Sequence, residues 1–102
     1  MKTYQSRTFE SKAKKFSQQE KETLDDEVRK IVKNSMIGEE KKGDLRGIYV
    51  YKFKIKAVQY LLSFGMAKAG LELIMIGPHE NYYRDLKGYL KRRLKNGNPA
   101  SD

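Results

Sequence analysis

Apolar residues recur at helical spacing in the first third of the chain. They fall three and four positions apart, with charged residues between them, at Phe9, Ala13, Phe16, Leu24, Val28, Ile31 and Val32. Ser17 is followed three positions later by Glu20, a combination that forms a capping box at the start of a helix. The pattern predicts two helices over residues 9–34, joined near Ser17 into an antiparallel hairpin. The pattern of the first eight residues is ambiguous, and a short edge strand is one interpretation of it.

The middle of the chain has the period of β-strands. It follows a loop predicted over residues 38–47, where three glycines lie among charged residues. From there, one strand face is apolar and aromatic and the other carries lysines: Tyr49, Tyr51, Phe53 and Ile55 alternate with Val50, Lys52, Lys54 and Lys56. Apolar runs over 59–66 and 71–76 predict two more strands, at the spacing of an antiparallel meander.

The helical period returns near the C-terminus. Between residues 81 and 95 it is carried by Tyr82, Leu86, Tyr89, Leu90 and Leu94. Residues 96–102 have turn-forming residues and no apolar anchor, so we expect a flexible tail there. The order of elements predicts one α+β domain over residues 1–102, with an N-terminal helical hairpin packed on a small antiparallel sheet and a C-terminal helix. We expect the helices to share one face of that sheet.

The chain is strongly basic. Its 102 residues include 22 Lys and Arg against 13 Asp and Glu, a formal net charge of +9. Such a charge favours a nucleic acid, an acidic protein or an anionic membrane as partner. No stretch has the ~18 consecutive apolar residues of a membrane span and no apolar signal region follows Met1, so we expect a cytoplasmic protein outside the membrane. The absence of cysteine excludes disulfides and thiolate chemistry, and one histidine without a tight carboxylate cluster predicts neither a metal nor another cofactor.

Two groups of cations are candidates for anion binding. Lys52, Lys54 and Lys56 project from one strand face ~6–7 Å apart, close to the phosphate spacing of an RNA strand. The alternative is that they mark the ordinary solvent face of a half-buried strand. The last helix carries six cations and one acidic residue, Asp85; the cations are Arg84, Lys87, Lys91, Arg92, Arg93 and Lys95. With so few acidic partners, this helix is typical of an anion-binding surface, whether for nucleic acid or for an acidic protein.

The only histidine of the sequence, His79, lies between the third predicted strand and the last helix. A residue at the end of a strand is held rigidly and is open to solvent. His79 has the only side chain whose ordinary pKa, ~6.5, allows easy proton exchange near neutrality, although a turn or capping role is the alternative. Tyr82 and Tyr83 follow closely. They either stack on bases or pack in the core and at the rim of the last helix.

The order and spacing of these pieces resemble the RelE/ParE superfamily of bacterial toxins. The resemblance runs over most of the chain: the helical hairpin, the glycine loop 41–47, the strand Tyr49-Val50-Tyr51-Lys52-Phe53-Lys54, the segment 59–64 and the ending from His79 to Lys87. It implies a RelE-like fold and a toxin of a type II toxin–antitoxin pair, with a cognate antitoxin as partner. We expect the antitoxin to bring an acidic segment that folds against Arg84, Lys87 and Lys91.

The RelE side of this resemblance implies cleavage of messenger RNA in the ribosomal decoding site, by attack of a ribose 2′-OH on the adjacent phosphate without a metal. That reaction needs a base for the hydroxyl, cations for the phosphorane charge and an acid for the leaving oxygen. The same resemblance implies that Lys52 and Lys54 bind and activate the RNA and that His79 transfers a proton. It also implies that Tyr83 or Tyr82 orients a base or stacks on it. The wider set implied to bind RNA is Arg46, Lys56, Tyr82, Arg84, Lys87 and Lys91.

One departure from the RelE pattern bears on the reaction. RelE has an arginine after the tyrosine that matches Tyr60, whereas this chain has Leu61, and His79 replaces the arginine of the late segment. Three cations are candidates to supply the missing charge: Lys56, Arg84 and Arg46. Otherwise the protein is a weak nuclease, or it acts like ParE and inhibits DNA gyrase without cleaving RNA. A non-catalytic basic RNA-binding module is a further alternative.

Overall fold

A five-stranded sheet with helices on both faces makes up the fold. The structure, a computed structural model, describes residues 2–95, except for the side chains of residues 44, 94 and 95. In chain order the elements are β1 (Thr3–Gln5), α1 (Arg7–Ala13), α2 (Gln18–Lys33), β2 (Glu39–Glu40), β3 (Tyr49–Ile55), β4 (Val58–Ala67), β5 (Gly70–Pro78) and α3 (Tyr82–Lys95), with 3₁₀ turns at Ser35–Ile37 and Gly43–Leu45. The α+β class and the order of the main elements are as predicted. The expected tail, residues 96–102, lies outside the described residues.

Serine caps set where the two N-terminal helices begin. Ser6 accepts a hydrogen bond from the Phe9 N–H at 3.0 Å, and its hydroxyl donates to the Ile74 carbonyl at 2.6 Å, which ties the start of α1 to β5. Ser17 and Glu20 form the predicted capping box. The Glu20 N–H donates to Ser17 Oγ at 3.2 Å and the Ser17 N–H donates to the Glu20 carboxylate at 2.7 Å. Each cap satisfies backbone donors that a helix leaves unpaired, so the hairpin turns where the sequence predicts.

The three long strands form the predicted antiparallel meander, and a short strand extends the sheet at each edge. The spatial order is β1-β5-β4-β3-β2. β1 pairs with β5 in parallel, with Thr3 opposite Leu71, and β2 pairs antiparallel with β3, with Glu39 opposite Val50. The edge strand left open for the first eight residues is therefore present, but its direction makes the sheet mixed. All three residues of β1 are exposed, so no alternation in the sequence reveals the strand or its direction.

Helices cover both faces of the sheet, so the expectation that they share one face is wrong. α1 and α2 pack on one face, in a core of Phe9, Leu24, Ile31, Phe53, Ile55, Leu62, Phe64, Leu71, Leu73 and Ile76. α3 packs on the other, in a core of Leu45, Val50, Leu61, Ile74, Met75, Tyr82, Leu86 and Tyr89. The reason lies in β4 and β5, where residues 61–64 and 73–76 are buried without interruption. Strands buried on both sides need an element packed on each side.

Polar contacts anchor α3 at both ends. Near its start, the Tyr82 hydroxyl lies 2.8 Å from Ser63 Oγ and 2.8 Å from the Met75 carbonyl oxygen. Burial raises the pKa of Tyr82, so its hydroxyl stays protonated and donates. Near its end, the Arg93 guanidinium lies 2.8 and 2.7 Å from the two carboxylate oxygens of Glu72, in a largely buried ion pair. α3 therefore begins over the end of β5 and ends over its start.

Gly70 is required where β1 meets β5. Its φ is +147°, and a Cβ at this position would collide with the Lys2 carbonyl oxygen. Gly70→Ala is expected to displace β1 and to lower the free energy of unfolding by about 2 kcal/mol or more. The matched control is Gly65→Ala in the same hairpin, where the new Cβ would lie 3.6 Å from Ile74 Cδ1 in an ordinary contact. Equal losses from both substitutions in urea unfolding would contradict this account.

Tyr51 couples β3 to α2 in a pH-dependent way. Its hydroxyl donates to the Glu27 carboxylate at 2.6 Å, and burial together with this hydrogen bond raises the pKa of Tyr51 to about 12. A raised pKa means that the protonated phenol stabilises the folded state fully below pH ~10, and that this stabilisation disappears as the pH rises towards 12. Tyr51→Phe should therefore lower the unfolding free energy by ~1 kcal/mol near pH 8, and the deficit should shrink above pH 10.

The measurement is urea unfolding of wild type and Tyr51→Phe between pH 8 and pH 11.5. Tyr4→Phe, at an exposed position of β1, controls for the loss of one tyrosine. A deficit for Tyr51→Phe that stays constant across this range would refute the coupling.

Candidate nucleic-acid interface

Lys52 and Lys54 lie on the face of β3 that α3 only partly covers. Tyr51, Phe53 and Ile55 turn towards α2, and the intervening lysines are exposed on the opposite face. Val50, on that same face, is buried under α3. The cover that α3 provides thus ends between Val50 and Lys52, which leaves two ammonium groups on a rigid strand and open to solvent.

The register of the meander brings His79 to the same end of the sheet as Lys54. Lys54 pairs with Gln59 across β3 and β4, and the Gln59 carbonyl accepts a hydrogen bond from the His79 N–H at 3.1 Å. The backbones of Lys54 and His79 are therefore two strand spacings apart, ~10 Å. The His79 side chain is exposed, and its carbonyl accepts a hydrogen bond from the Tyr82 N–H at 3.3 Å in the turn that leads into α3.

Tyr83 closes one side of this surface, together with a lysine that the sequence analysis missed. Lys41 Nζ lies 5.3 Å from the centre of the Tyr83 ring, a cation–π arrangement. The same ammonium group lies 2.5 Å from Glu39 Oε1. Glu39 is opposite Val50, so it shares the face of Lys52. We call the surface formed by Glu39, Lys41, Lys52, Lys54, His79 and Tyr83 the lysine face.

The ion pair on the lysine face keeps both its groups charged. The hydrogen bond from Lys41, and then the Lys41 charge itself, lower the pKa of Glu39; the charge of Lys52 contributes further. The hydrogen bond to Glu39 raises the pKa of Lys41, with a contribution from Tyr83. Neither residue stood out in the sequence, because β2 is only two residues long and shows no periodicity. The signal that was available is the spacing of two between Glu39 and Lys41, which places opposite charges on one side of an extended segment.

Lys56 does not join this surface. It lies in the two-residue turn between β3 and β4, with a φ of +57°, so the alternation of β3 ends at Ile55. Its charge contributes to lowering the pKa of Glu20, at the start of α2. Lys56 therefore lies towards the helical hairpin, and the predicted stripe of three lysines has two members.

Tyr82 is a core residue, which contradicts its predicted contact with RNA. Only 2% of its surface is exposed, and its hydroxyl is used against Ser63 and Met75. Tyr83 is partly buried, packs edge-on against Tyr82 with ring centres 5.8 Å apart, and is the tyrosine that reaches the lysine face. Tyr82 is therefore the core residue of this pair, and Tyr83 lies at the rim of α3.

The two arginines predicted to bind RNA, Arg46 and Arg84, do not lie on the lysine face. Arg46 lines a groove at the other end of the sheet, beside Glu72 and Arg93. Arg84 lines a groove between α3 and α1, together with Lys12 and Arg92, and its guanidinium lies 3.3 Å from the Asp85 carboxylate.

The other cations of α3 differ in exposure according to the side of the helix on which they lie. Lys87 lies one turn beyond Tyr83 on the same side of the helix, and Lys91 is one further turn along; both are exposed. Arg93 is buried against Glu72, so it belongs to the core contacts of α3 and not to an anion-binding surface.

Leu61 lies at the position where the resemblance to RelE implies an arginine. It is fully buried in the core under α3 and lies opposite Lys52 in the register of β3 and β4. None of the three cations predicted to compensate lies on the lysine face. Lys41 does, and it is the additional cation that the folded chain provides there.

Further features of residues 2–95 bear on possible ligands. Within this range no group of three His, Cys, Asp or Glu side chains could hold a metal ion. No described helix is long and apolar enough to cross a membrane. The lysine face itself offers ammonium, imidazole, phenol and carboxylate groups.

Comparison with solved structures supports the fold. The crystal structure of the isolated E. coli RelE toxin matches the chain with a TM-score of 0.58 and 17% sequence identity, over 86% of this chain and 97% of the RelE chain. At this identity the match establishes the shared architecture. A search among curated proteins found no match.

A family comparison covers most of the described residues. The family described as "ParE-like toxin of type II bacterial toxin-antitoxin system" matches residues 3–87, from β1 into α3. Together with the fold shared with RelE, this confirms the resemblance to the RelE/ParE superfamily. Because the match spans the sheet, both N-terminal helices and the start of α3, the chain belongs to the ParE-like toxins of type II bacterial toxin–antitoxin systems.

Proposed function

We propose that this toxin cleaves messenger RNA on the ribosome, and that the lysine face is where the RNA is held. The observation that supports this most is that the register brings the backbone of His79 to the end of β3 that carries Lys54. Lys52 lies two residues earlier on the same strand face, and Tyr83 lies beside Lys41, near the start of β3. Phosphodiester cleavage requires cations near the phosphate and groups that exchange protons, and an aromatic ring can orient a base beside the cleaved bond.

The reaction is attack of a ribose 2′ oxygen on the adjacent phosphorus. The new bond joins O2′ to phosphorus, and the bond from phosphorus to the 5′ oxygen of the next nucleotide breaks, giving a 2′,3′-cyclic phosphate and a 5′-hydroxyl. Lys52 and Lys54 stabilise the charge that builds on the phosphorane oxygens. His79 either takes the proton from the 2′ oxygen or gives one to the leaving 5′ oxygen, and solvent water exchanges the proton at the other oxygen. Tyr83 stacks on or orients a base beside the cleaved bond.

The open shape of the lysine face favours a substrate positioned by a second macromolecule. Lys52, Lys54 and His79 are all exposed, so no wall of the protein encloses a bound nucleotide on their outer side. Effective catalysis requires the 2′ oxygen, the phosphorus and the leaving oxygen to be aligned within a narrow range. A ribosome that holds the message in its decoding site supplies that alignment, which is why we propose ribosome-dependent cleavage over cleavage of free RNA.

Inhibition of DNA gyrase is the second candidate function. The family match is to ParE-like toxins, and Leu61 removes a cation that RelE carries. A gyrase inhibitor on this fold requires neither His79 nor the two β3 lysines. The test is to incubate the purified protein with programmed ribosomes, map cleavage of the message, and run a gyrase supercoiling assay in parallel. Message cleavage with unaffected gyrase is expected; inhibited gyrase with an intact message would establish the alternative.

A type II toxin has an antitoxin protein as partner. We propose that this antitoxin brings an acidic segment to the outer surface of α3, where Lys87 and Lys91 are exposed, and into the groove between α3 and α1 that Arg84 lines with Lys12. Electrostatic attraction would make association fast and dependent on salt, whereas burial of apolar side chains would set the lifetime of the complex.

The β3 lysines should be essential for cleavage and dispensable for folding. Lys52→Ala combined with Lys54→Ala should lower single-turnover cleavage on the ribosome by at least ~100-fold, because two charges next to the developing phosphorane are lost. Thermal unfolding should change little, since both side chains are exposed. The control is Lys21→Ala combined with Lys33→Ala, which removes the same charge from exposed positions on α2. Cleavage at the wild-type rate in the β3 double variant would end the assignment.

His79 should affect the rate of cleavage and not the binding of RNA. His79→Gln keeps a polar side chain in the turn but cannot exchange protons near neutrality, so single-turnover cleavage should slow by ~100- to 10,000-fold. Ribosome binding should remain close to that of wild type. The opposite result, an unchanged rate with a lower midpoint of thermal unfolding, would assign His79 to the turn before α3 alone.

A further inference from the structure

The Glu39 carboxylate pairs with Lys41 and lies on the same sheet face as Lys52 of the neighbouring strand. Its Oε1 atom is 2.5 Å from Lys41 Nζ. Glu39 is opposite Val50, so Lys52, two residues further along β3, is its diagonal neighbour on the same face, and the Lys52 charge contributes to lowering the pKa of Glu39. The neighbours of Lys52 and Lys54 across the sheet are Leu61 and Gln59, which carry no charge. Glu39 is therefore the carboxylate that pairs with Lys41 and feels the charge of Lys52 in the free protein.

The two partners of this ion pair differ in how firmly they are held. Only 23% of the Lys41 side chain is exposed, and its ammonium group lies over the Tyr83 ring. By contrast, 75% of the Glu39 side chain is exposed. Glu39 also belongs to a two-residue strand at the edge of the sheet. Its carboxylate can therefore rotate into solvent without disturbing the core, whereas Lys41 stays in place.

We infer that the Glu39 carboxylate occupies a phosphate-binding position between Lys41 and Lys52, and that a backbone phosphate of RNA displaces it. This inference deepens the proposed function and rests on it in taking RNA as the ligand. A phosphodiester carries the same single negative charge as a carboxylate and likewise offers two oxygens to ammonium donors. Lys41 is already oriented towards an anion, and Lys52 is exposed on the same face, so a phosphate needs little rearrangement of the backbone to contact both.

The displaced carboxylate has a consequence for selectivity. Every anion that binds between Lys41 and Lys52 must compete with Glu39, so isolated phosphates in solution bind weakly. A phosphate that is also held by Lys54 and by the rest of an RNA strand competes effectively, because its local concentration is high. Lys41, directly after β2, would then supply a cation on the face where Leu61 occupies the position of the arginine implied by the resemblance to RelE.

The experiment measures binding of the full chain to a single-stranded RNA whose 2′ oxygens are methylated, so that no cleavage occurs. Fluorescence anisotropy at several KCl concentrations gives the affinity and its salt dependence. Glu39→Gln should bind about 2- to 5-fold more tightly than wild type, because the competing charge is removed. Lys41→Gln should bind more weakly, and its slope of log K against log salt should be shallower by about 0.7, since one phosphate contact is lost.

Matched controls use the exposed ion pair on α1, where Lys14 Nζ lies 3.7 Å from Glu10 Oε1. Glu10→Gln and Lys14→Gln change the net charge by the same amounts but lie on a different element. The inference is wrong if Glu39→Gln tightens RNA binding no more than Glu10→Gln does. It is also wrong if Glu39→Gln tightens binding of polyglutamate while RNA binding stays unchanged, because the position would then suit an acidic peptide.

These outcomes are separable from those that test the proposed function. The binding assay contains no ribosome, and methylated RNA cannot react. If the Glu39 and Lys41 variants behave as expected but wild-type protein cleaves no message on ribosomes, the phosphate position stands and the proposed nuclease activity fails. If wild type cleaves and the variants bind RNA like their controls, the activity stands and the phosphate position fails.

Discussion

The burial of β4 and β5 on both faces is the constraint on which the rest of the structure depends. Two uninterrupted runs, residues 61–64 and 73–76, are buried in the middle of the sheet. Each buried aliphatic or aromatic side chain contributes roughly 1.5–3 kcal/mol relative to exposure, so neither face can be left to solvent. The helical hairpin covers one face and α3 the other. In a chain with a net charge of +9, this double core also fixes where the charges go, since they must lie on the outer surfaces and edges.

The lysine face exists because that cover is incomplete. α3 lies over β4, β5 and the first part of β3, where Val50 is buried, but not over Lys52 and Lys54. Its first turn carries Tyr83, and the turn before it carries His79. The meander holds the backbones of Lys52, Lys54 and His79 in register, so a candidate site on this face has a rigid base even though these three side chains are open to solvent. α3 thus completes the core on one face of the sheet and borders the candidate site on that face.

The ion pairs of this protein differ in burial and therefore in how much each contributes to stability. Pairs on the outside of α2, such as Asp26 with Arg29, are exposed and contribute at most ~1 kcal/mol each. Arg93 and Glu72 form a largely buried pair, and losing either partner would leave an uncompensated charge under α3. The pair of Glu39 and Lys41 is intermediate in burial, since the Lys41 side chain is largely covered and the Glu39 side chain is exposed. Net charge alone distinguishes none of these cases, because it is burial that sets the value of each pair.

The sequence by itself determined the main elements and their order, but it predicted a loop where β2 lies and left β1 ambiguous. Local signals were sufficient for this: the capping box at Ser17, the alternation of β3 and the helical period of α3 all act within a few residues. The sequence also identified Lys52, Lys54 and His79, because alternation and chain position mark them as exposed residues on a strand or at its end. The family was recognisable from the same pieces.

Only the tertiary structure decided which residues meet. β1 joins β5 in parallel and α3 crosses to the second face because of contacts between segments far apart in the chain, which no local period encodes. The same long-range packing buries Tyr82, turns Lys56 and Arg84 away from the lysine face, and pairs Arg93 with Glu72. It also brings Lys41 and Glu39 beside Lys52, through a two-residue edge strand too short to show any pattern. Local periodicity reports which side of its own element a residue occupies, whereas the partner facing that side is chosen by packing across the whole chain.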